Sequence, residues 1–198
     1  MSQAVSQWEM VITRYLGQTT LTMRGPETRA QVADTPPDAE FFGIQFKLGT
    51  YMPHLPISML VDHAITLPDA TGKAFWFQGA VWQLPTFENA DTFINRMMRD
   101  GLIARDPVIT SALQGHPVDL SPRALQYRFL NATGLTQTTV RQIQRARDAA
   151  ALLERGMPIL DTVYEMGYFD QAHLTRSLKR FLGQTPAQLR FFTRRAAD

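Results

Sequence analysis

Between Gly167 and Gly183 the chain strings hydrogen-bond donors and cations along one short segment: Gln171, His173, Thr175, Arg176, Lys179 and Arg180. Asp170 can accept the first free amides of a helix and Gly183 can end it, so the spacing predicts a helix over 170–182, about three turns long. Leu174, Leu178 and Phe181 fall on one stripe of that helix and leave the polar side chains, with Ala172, on its other faces. Donors presented outward along a short helix are the means by which base edges and phosphates are read, so the chemistry indicated is DNA recognition. A second segment repeats the layout. Ser121 and Pro122 start it and Gly134 stops it, Leu125 and Phe129 form its stripe, and Arg123, Gln126, Tyr127 and Arg128 face outward over 121–133.

Side chains of this kind need a scaffold: a short helix, a tight turn and the presenting helix. Residues 158–182 supply one. Ile159, Val163 and Met166 can pack under Leu174 and Leu178, and Gly167 can take the left-handed backbone that the turn requires. An ordinary helical hairpin is the alternative reading of the same pattern. The longest predicted helix, Thr136 to Gly156 with Val140, Ile143, Ala146, Ala150 and Leu153 on its stripe, joins the two presenting segments. A rigid link of that kind could hold them one duplex turn apart, about 34 Å.

Ahead of these helices the period changes. Trp8, Met10 and Ile12 alternate with Glu9, Val11 and Thr13; Thr20 to Met23, Gly43 to Leu48 and Ala74 to Leu84 read as further strands, the last broken at Gly79. Asp34 to Asp38 reads as a loop, and Pro53, Pro56 and Pro68 predict mostly irregular chain over 51–72, with at most a short helical turn near Ile57 to His63. After Pro85 the pattern is helical: Asn89 is expected to cap Ala90–Asp100, Asp106-Pro107 to open a helix to Gly115, and Thr185-Pro186 to open a last one to Arg195. The fold class expected is α+β, a small antiparallel β-domain followed by about seven helices. Phe93, Ile94, Met97 and Met98 suit either a partner helix in a homodimer or the chain's own sheet.

The stretch Leu120 to Arg190 resembles the double helix-turn-helix domain of AraC/XylS-type transcription regulators. The resemblance rests on Ser121, Leu125, Arg128, Phe129 and Gly134 in the first unit and on Arg145, Ala149, Leu152 and Leu153 in the linking helix. In the second unit it rests on Ile159, Gly167, Arg176, Lys179, Arg180, Gly183, Thr185 and Pro186. Phe42–Leu48 and Phe75–Pro107 are similar, more loosely, to a shortened cupin-like sensor half, an incomplete barrel. The division implied is a cupin-like domain at 1–86, a linking or dimerisation helix at 87–105, and a double helix-turn-helix domain at 106–198. Two departures stand out. Gln114–Leu120 inserts Gly115, His116 and Pro117 before the first presenting helix, and Tyr168 and Leu178 stand where the family often has phenylalanine.

Carried over by position, the resemblance implies groove-facing roles for Arg123, Gln126 and Tyr127, with Arg128 beside them, and for Gln171, Ala172, His173 and Arg176. Thr175, Lys179 and Arg180 would meet phosphates. Arginine suits guanine O6 and N7, and glutamine adenine N6 and N7. The function implied is a sequence-specific transcription regulator, activator or repressor, that reads the major groove with helices 121–133 and 170–182 and is controlled by a small-molecule effector. The alternative is a ligand-binding or interaction protein whose helical tail binds no DNA.

Composition narrows the rest. From Asp106 onward twelve Arg and Lys face eight Asp and Glu, whereas 1–105 carries eight against ten, so the positive charge lies with the helices. Cysteine is absent, which excludes disulfides and thiolate metal sites. His54, His63, His116 and His173 stand at no ligand spacing, and no nucleophile elbow, phosphate loop or dinucleotide fingerprint occurs; no metal, cofactor or catalysis is expected. Phe42, Phe46, Trp76 and Trp82, with Phe77, could line an effector cavity anchored by His54, or fill the core of a small β-domain. Neither a signal peptide nor an apolar run of membrane length is evident, so the expected location is the cytoplasm, with no membrane contact.

Overall fold

The alternation at the N-terminus folds as expected in the computed structural model, which describes residues 2–32, 36–69 and 71–190. β1 (Glu9–Tyr15) and β2 (Gln18–Arg24) form a hairpin whose two turn residues, Leu16 and Gly17, have φ of 49° and 76°. β3 (Glu40–Gln45) pairs on the far side of β1, with Met10 opposite Ile44 and Ile12 opposite Phe42. The apolar members of the alternation, Trp8, Met10, Ile12, Leu21 and Met23, are all buried, as a sheet with one covered face requires.

β4 (Thr50–Tyr51) is followed by a 3-10 turn (Ile57–Leu60) and β5 (Ala64–Thr66), which adds to β2 and completes an open antiparallel sheet of order β3-β1-β2-β5. β5 is a short strand within the mostly irregular chain expected across 51–72: three residues free of proline are enough once β2 offers an unpaired edge. β6 (Ala74–Phe77) and β7 (Ala80–Gln83) form a second hairpin, turning at Gln78-Gly79.

α1 (Ala90–Arg99) buries Phe93 and Met97 on the chain's own aromatic hairpin, with the Phe93 ring 6.2 Å from Phe75 and 6.1 Å from Trp82. Ile94 is half-buried and Met98 exposed. Asn89 does not cap this helix; its carboxamide oxygen accepts instead from the Thr86 amide at 2.8 Å, bracing the turn that leads in. β8 (Ala104–Arg105) pairs with β4, a second short ladder that the sequence did not signal.

Among the remaining helices, three begin on the expected caps Asp106, Ser121 and Asp170, and the last two of these end on the expected glycines Gly134 and Gly183. α2 (Pro107–Leu113) starts at Asp106, whose carboxylate accepts from the amides of Val108 and Ile109. α3 (Pro122–Thr133) starts at Ser121 and stops at left-handed Gly134. α4 (Gln137–Glu154), α5 (Ile159–Glu165) and α6 (Gln171–Leu182) follow, and residues 186–190 begin a further helix whose expected end at Arg195 lies outside the described residues. Part of the expected Asp34–Asp38 loop lies outside them as well. The chain is thus mixed α+β, antiparallel strands first and helices after.

Compactness groups the described chain into two units. One holds 6–26, 36–69 and 71–136, so α2 and α3 pack with the strands; α3 rests on the 3-10 turn and on β4. The other holds α4, α5 and α6 together with 2–5 and 27–32, which tie back through Ala4 N to Phe181 O at 2.7 Å and Ala30 N to Arg180 O at 2.8 Å. Its core is Val140, Ile143, Ala146, Leu153, Leu174, Leu178 and Phe181, each almost fully buried.

Candidate nucleic-acid interface

The turn between α5 and α6 occupies 166–170 and is built from backbone bonds. Gly167 N donates to Tyr164 O at 3.1 Å and Tyr168 N to Val163 O at 2.9 Å, while Gly167 takes φ +64°, a conformation that a Cβ would strain. Tyr168 then turns inward, 5% exposed, and its hydroxyl sits 3.2 Å from Ser177 Oγ. Asp170 accepts from His173 N at 2.6 Å and fixes the first turn of α6. Thr162, completely buried in α5, donates to Pro158 O at 3.0 Å, so even the polar residue under the turn is satisfied.

This frame leaves Gln171, Ala172, Arg176, Lys179 and Arg180 exposed on α6. The other two candidates on the helix are engaged locally. Thr175 donates its hydroxyl to Gln171 O at 2.8 Å, and the half-buried His173 packs edge-on against Tyr168 at 5.2 Å. Arg180 folds over the Phe181 ring, 5.0 Å from its centroid. No acidic residue occurs in α6, so its outward surface is polar and positively charged.

α3 differs. Arg123, Gln126 and Tyr127 are exposed, Tyr127 by 70%. Arg128 is bound within the chain: its Nε donates to Asp106 Oδ2 at 2.6 Å, linking α3 to the cap of α2. The hydrogen bond that it donates to Asp106 is the main reason that the Arg128 guanidinium holds its proton more tightly than usual. The connection from α2 to α3 runs over 114–121, longer than the α5–α6 turn, as the inserted Gly115, His116 and Pro117 lead one to expect.

The five effector candidates do not gather round one cavity. Phe46 stacks on Trp8 with ring centroids 3.8 Å apart, and Trp82 is buried against Phe93 beneath the Arg96 guanidinium. Trp76 stands opposite Val81 in the β6–β7 register and Trp82 opposite Phe75, so the two tryptophans point to opposite faces. Trp76 and His54 are exposed. Phe42 alone of the five borders a cleft of about 300 Å³, with Arg14, Glu40, Phe41 and Phe87. Among the described residues, no three His, Asp or Glu side chains cluster as metal ligands do, and no helix is long and apolar enough to cross a membrane.

Residues 117–191 match the helix-turn-helix domain family. The matched stretch takes in α3, α4, α5 and α6 and therefore includes residues of both compact units. Over 89 residues the chain is 32% identical to Regulatory protein ada of Salmonella typhimurium, a stretch that is 45% of this chain and 25% of that protein. The chain thus spans a quarter of the length of the curated relative it matches. No solved structure matches.

Proposed function

We propose that the chain is a sequence-specific DNA-binding transcription regulator acting in the cytoplasm, with α6 as its principal reading helix. The observation that carries this is the exposed Gln171, Ala172 and Arg176 on a helix whose start, tilt and inner face are fixed by Asp170, Gly167 and Tyr168, inside a helix-turn-helix domain. Arg176 is the side chain with the reach and fork geometry for a guanine edge, and Lys179 and Arg180 suit flanking phosphates. Arg123, Gln126 and Tyr127 of α3 offer a second, smaller reading surface. In this reading 1–86 serves regulation, 87–105 links, and 106–198 binds DNA.

Control by a small molecule belongs to the same proposal. The supporting observation is the cleft at Phe42, where Phe41 and Phe87 give apolar walls and Arg14 a cation, the mix of surfaces that small-ligand sites use. The test of DNA reading is Arg176→Ala. Affinity for a preferred duplex should fall by about 1–3 kcal/mol, with relaxed preference at one base pair and an unchanged circular dichroism spectrum. Unaltered affinity and preference would contradict the assignment.

A further inference from the structure

The unit that holds α4 and α6 contains a cleft of about 170 Å³ bordered by Gln142, Arg145, His173, Arg176, Ser177, Arg180 and Phe181. Three guanidinium groups and a histidine share this wall, and no carboxylate borders it among the described residues. Gathering like charges without a counter-charge is unfavourable, and an anion in the cleft would reverse that cost.

Arg145 is the unusual member. It lies between Ile143 and Ala146, two buried positions of the α4 core face, and its guanidinium is held 4.4 Å from the centre of the buried Tyr168 ring. Its Nε is buried with no hydrogen-bond partner among the described residues, and a buried donor left unmade is costly. Arg128 in the other unit shows the contrast, because there a carboxylate answers the charge. Around Arg145 the only described partner of the charge is a ring face, which orients the planar group without neutralising it. Ser177, tied to Tyr168 through the hydroxyl contact at 3.2 Å, and Arg180, laid over Phe181, complete a wall whose side chains are ordered in advance.

We infer that this cleft is a seat for a phosphate-type oxyanion, clamped by Arg145 and Arg180 with Ser177 and Gln142 as neutral donors. Planar guanidinium forks match phosphate oxygens in pairs, which a lysine cannot do. The inference rests on the proposed DNA reading for one source of the oxyanion, a duplex backbone phosphate beside the bases read by α6. Free phosphate is the other source with the same chemistry.

Two measurements on the full chain separate these sources: the salt dependence of duplex affinity, and the change in melting temperature caused by inorganic phosphate. The variants are Arg145→Gln, Arg145→Lys and Arg180→Gln, each checked for folding by circular dichroism. Arg180 is exposed, so Arg180→Gln keeps the test valid if Arg145→Gln does not fold. For a backbone phosphate, Arg145→Gln and Arg180→Gln each lower the slope of log K against log salt by about 1, with equal loss on preferred and scrambled duplexes. Arg145→Lys keeps most of the slope. For free phosphate, the slope is unchanged and phosphate raises the melting temperature of the parent but not of the two glutamine variants. An unchanged slope together with no stabilisation by phosphate overturns the seat. A parent chain that binds no duplex refutes the proposed function instead, and the phosphate measurement then decides the seat alone.

Discussion

The α5–α6 pair and the α2–α3 pair carry nearly the same written signature and use it differently. Both presenting helices have a side-chain cap at the start and a left-handed glycine at the end. In the α5–α6 pair the turn is short, and Arg176 and Arg180 of α6 border a cleft that no carboxylate lines among the described residues. In the α2–α3 pair the connection is longer, Arg128 is spent on Asp106, and α3 buries Phe129 and Ala132 while resting on the 3-10 turn and β4. Caps decide where a helix begins and ends; what its other faces touch decides whether it is free to bind. The difference supports the proposal that α6 is the reading helix: both helices bury an apolar stripe, but Arg128 of α3 is held in an ion pair within the chain.

Phe129→Ala should break the α2–α3 side most severely. The ring is 1% exposed, and its loss should lower the stability of the strand-bearing unit by about 3–5 kcal/mol. All three tryptophans, Trp8, Trp76 and Trp82, lie in that unit, so denaturation followed by tryptophan fluorescence reads it directly. A transition at the parent midpoint would show that α3 is not structurally committed.

The two helix-breaking glycines sharpen the contrast at the next level. A Cβ on Gly134 would lie 2.9 Å from Val61 Cγ2 and 3.1 Å from the Ile57 carbonyl carbon, whereas one on Gly167 would meet nothing within 4 Å. Gly167→Ala therefore carries only the cost of left-handed backbone, roughly 1–2 kcal/mol. Gly134→Ala adds crowding, for a total of ~2–4 kcal/mol. Equal denaturant midpoints for the two variants would remove the distinction. The smallest effect expected is that of Arg123→Ala, with an affinity loss below about 1 kcal/mol, less than the loss predicted for Arg176→Ala. Titration of both variants on one duplex measures the ratio, and a larger loss at Arg123 would reverse the ranking of the two helices.

Much of this architecture is legible in the sequence because it is written locally. Asp106-Pro107, Ser121-Pro122 and Asp170 each place a helix start within a residue, since the cap and the amides it binds are neighbours in the chain. What was not legible is set by distant partners. β5 and β8 exist because Thr22 and Thr50 stand ready to pair with Thr66 and Arg105, and a strand of two or three residues has no period to detect. The bond between Arg128 and Asp106 joins residues 22 apart, and Arg128 reads in sequence like any outward cation. The opposed tryptophans were within reach. With the turn at Gln78-Gly79, strand alternation already sets Trp76 and Trp82 on opposite faces, so a shared pocket was excluded by register. Arg145 enters the resemblance as a residue of the linking helix, but nothing in its spacing tells that its guanidinium lies over the Tyr168 ring, with no carboxylate among the described residues that border the cleft.

The most direct test of the central claim is selection of bound duplexes from a random pool at about 150 mM salt, a concentration that suppresses purely electrostatic binding. The parent chain, Arg176→Ala and Arg123→Ala are carried through in parallel. The account predicts an enriched block of bases for the parent that is kept by Arg123→Ala and weakened at one position by Arg176→Ala. No enrichment with the parent, or a block that survives Arg176→Ala intact and disappears with Arg123→Ala, would contradict it.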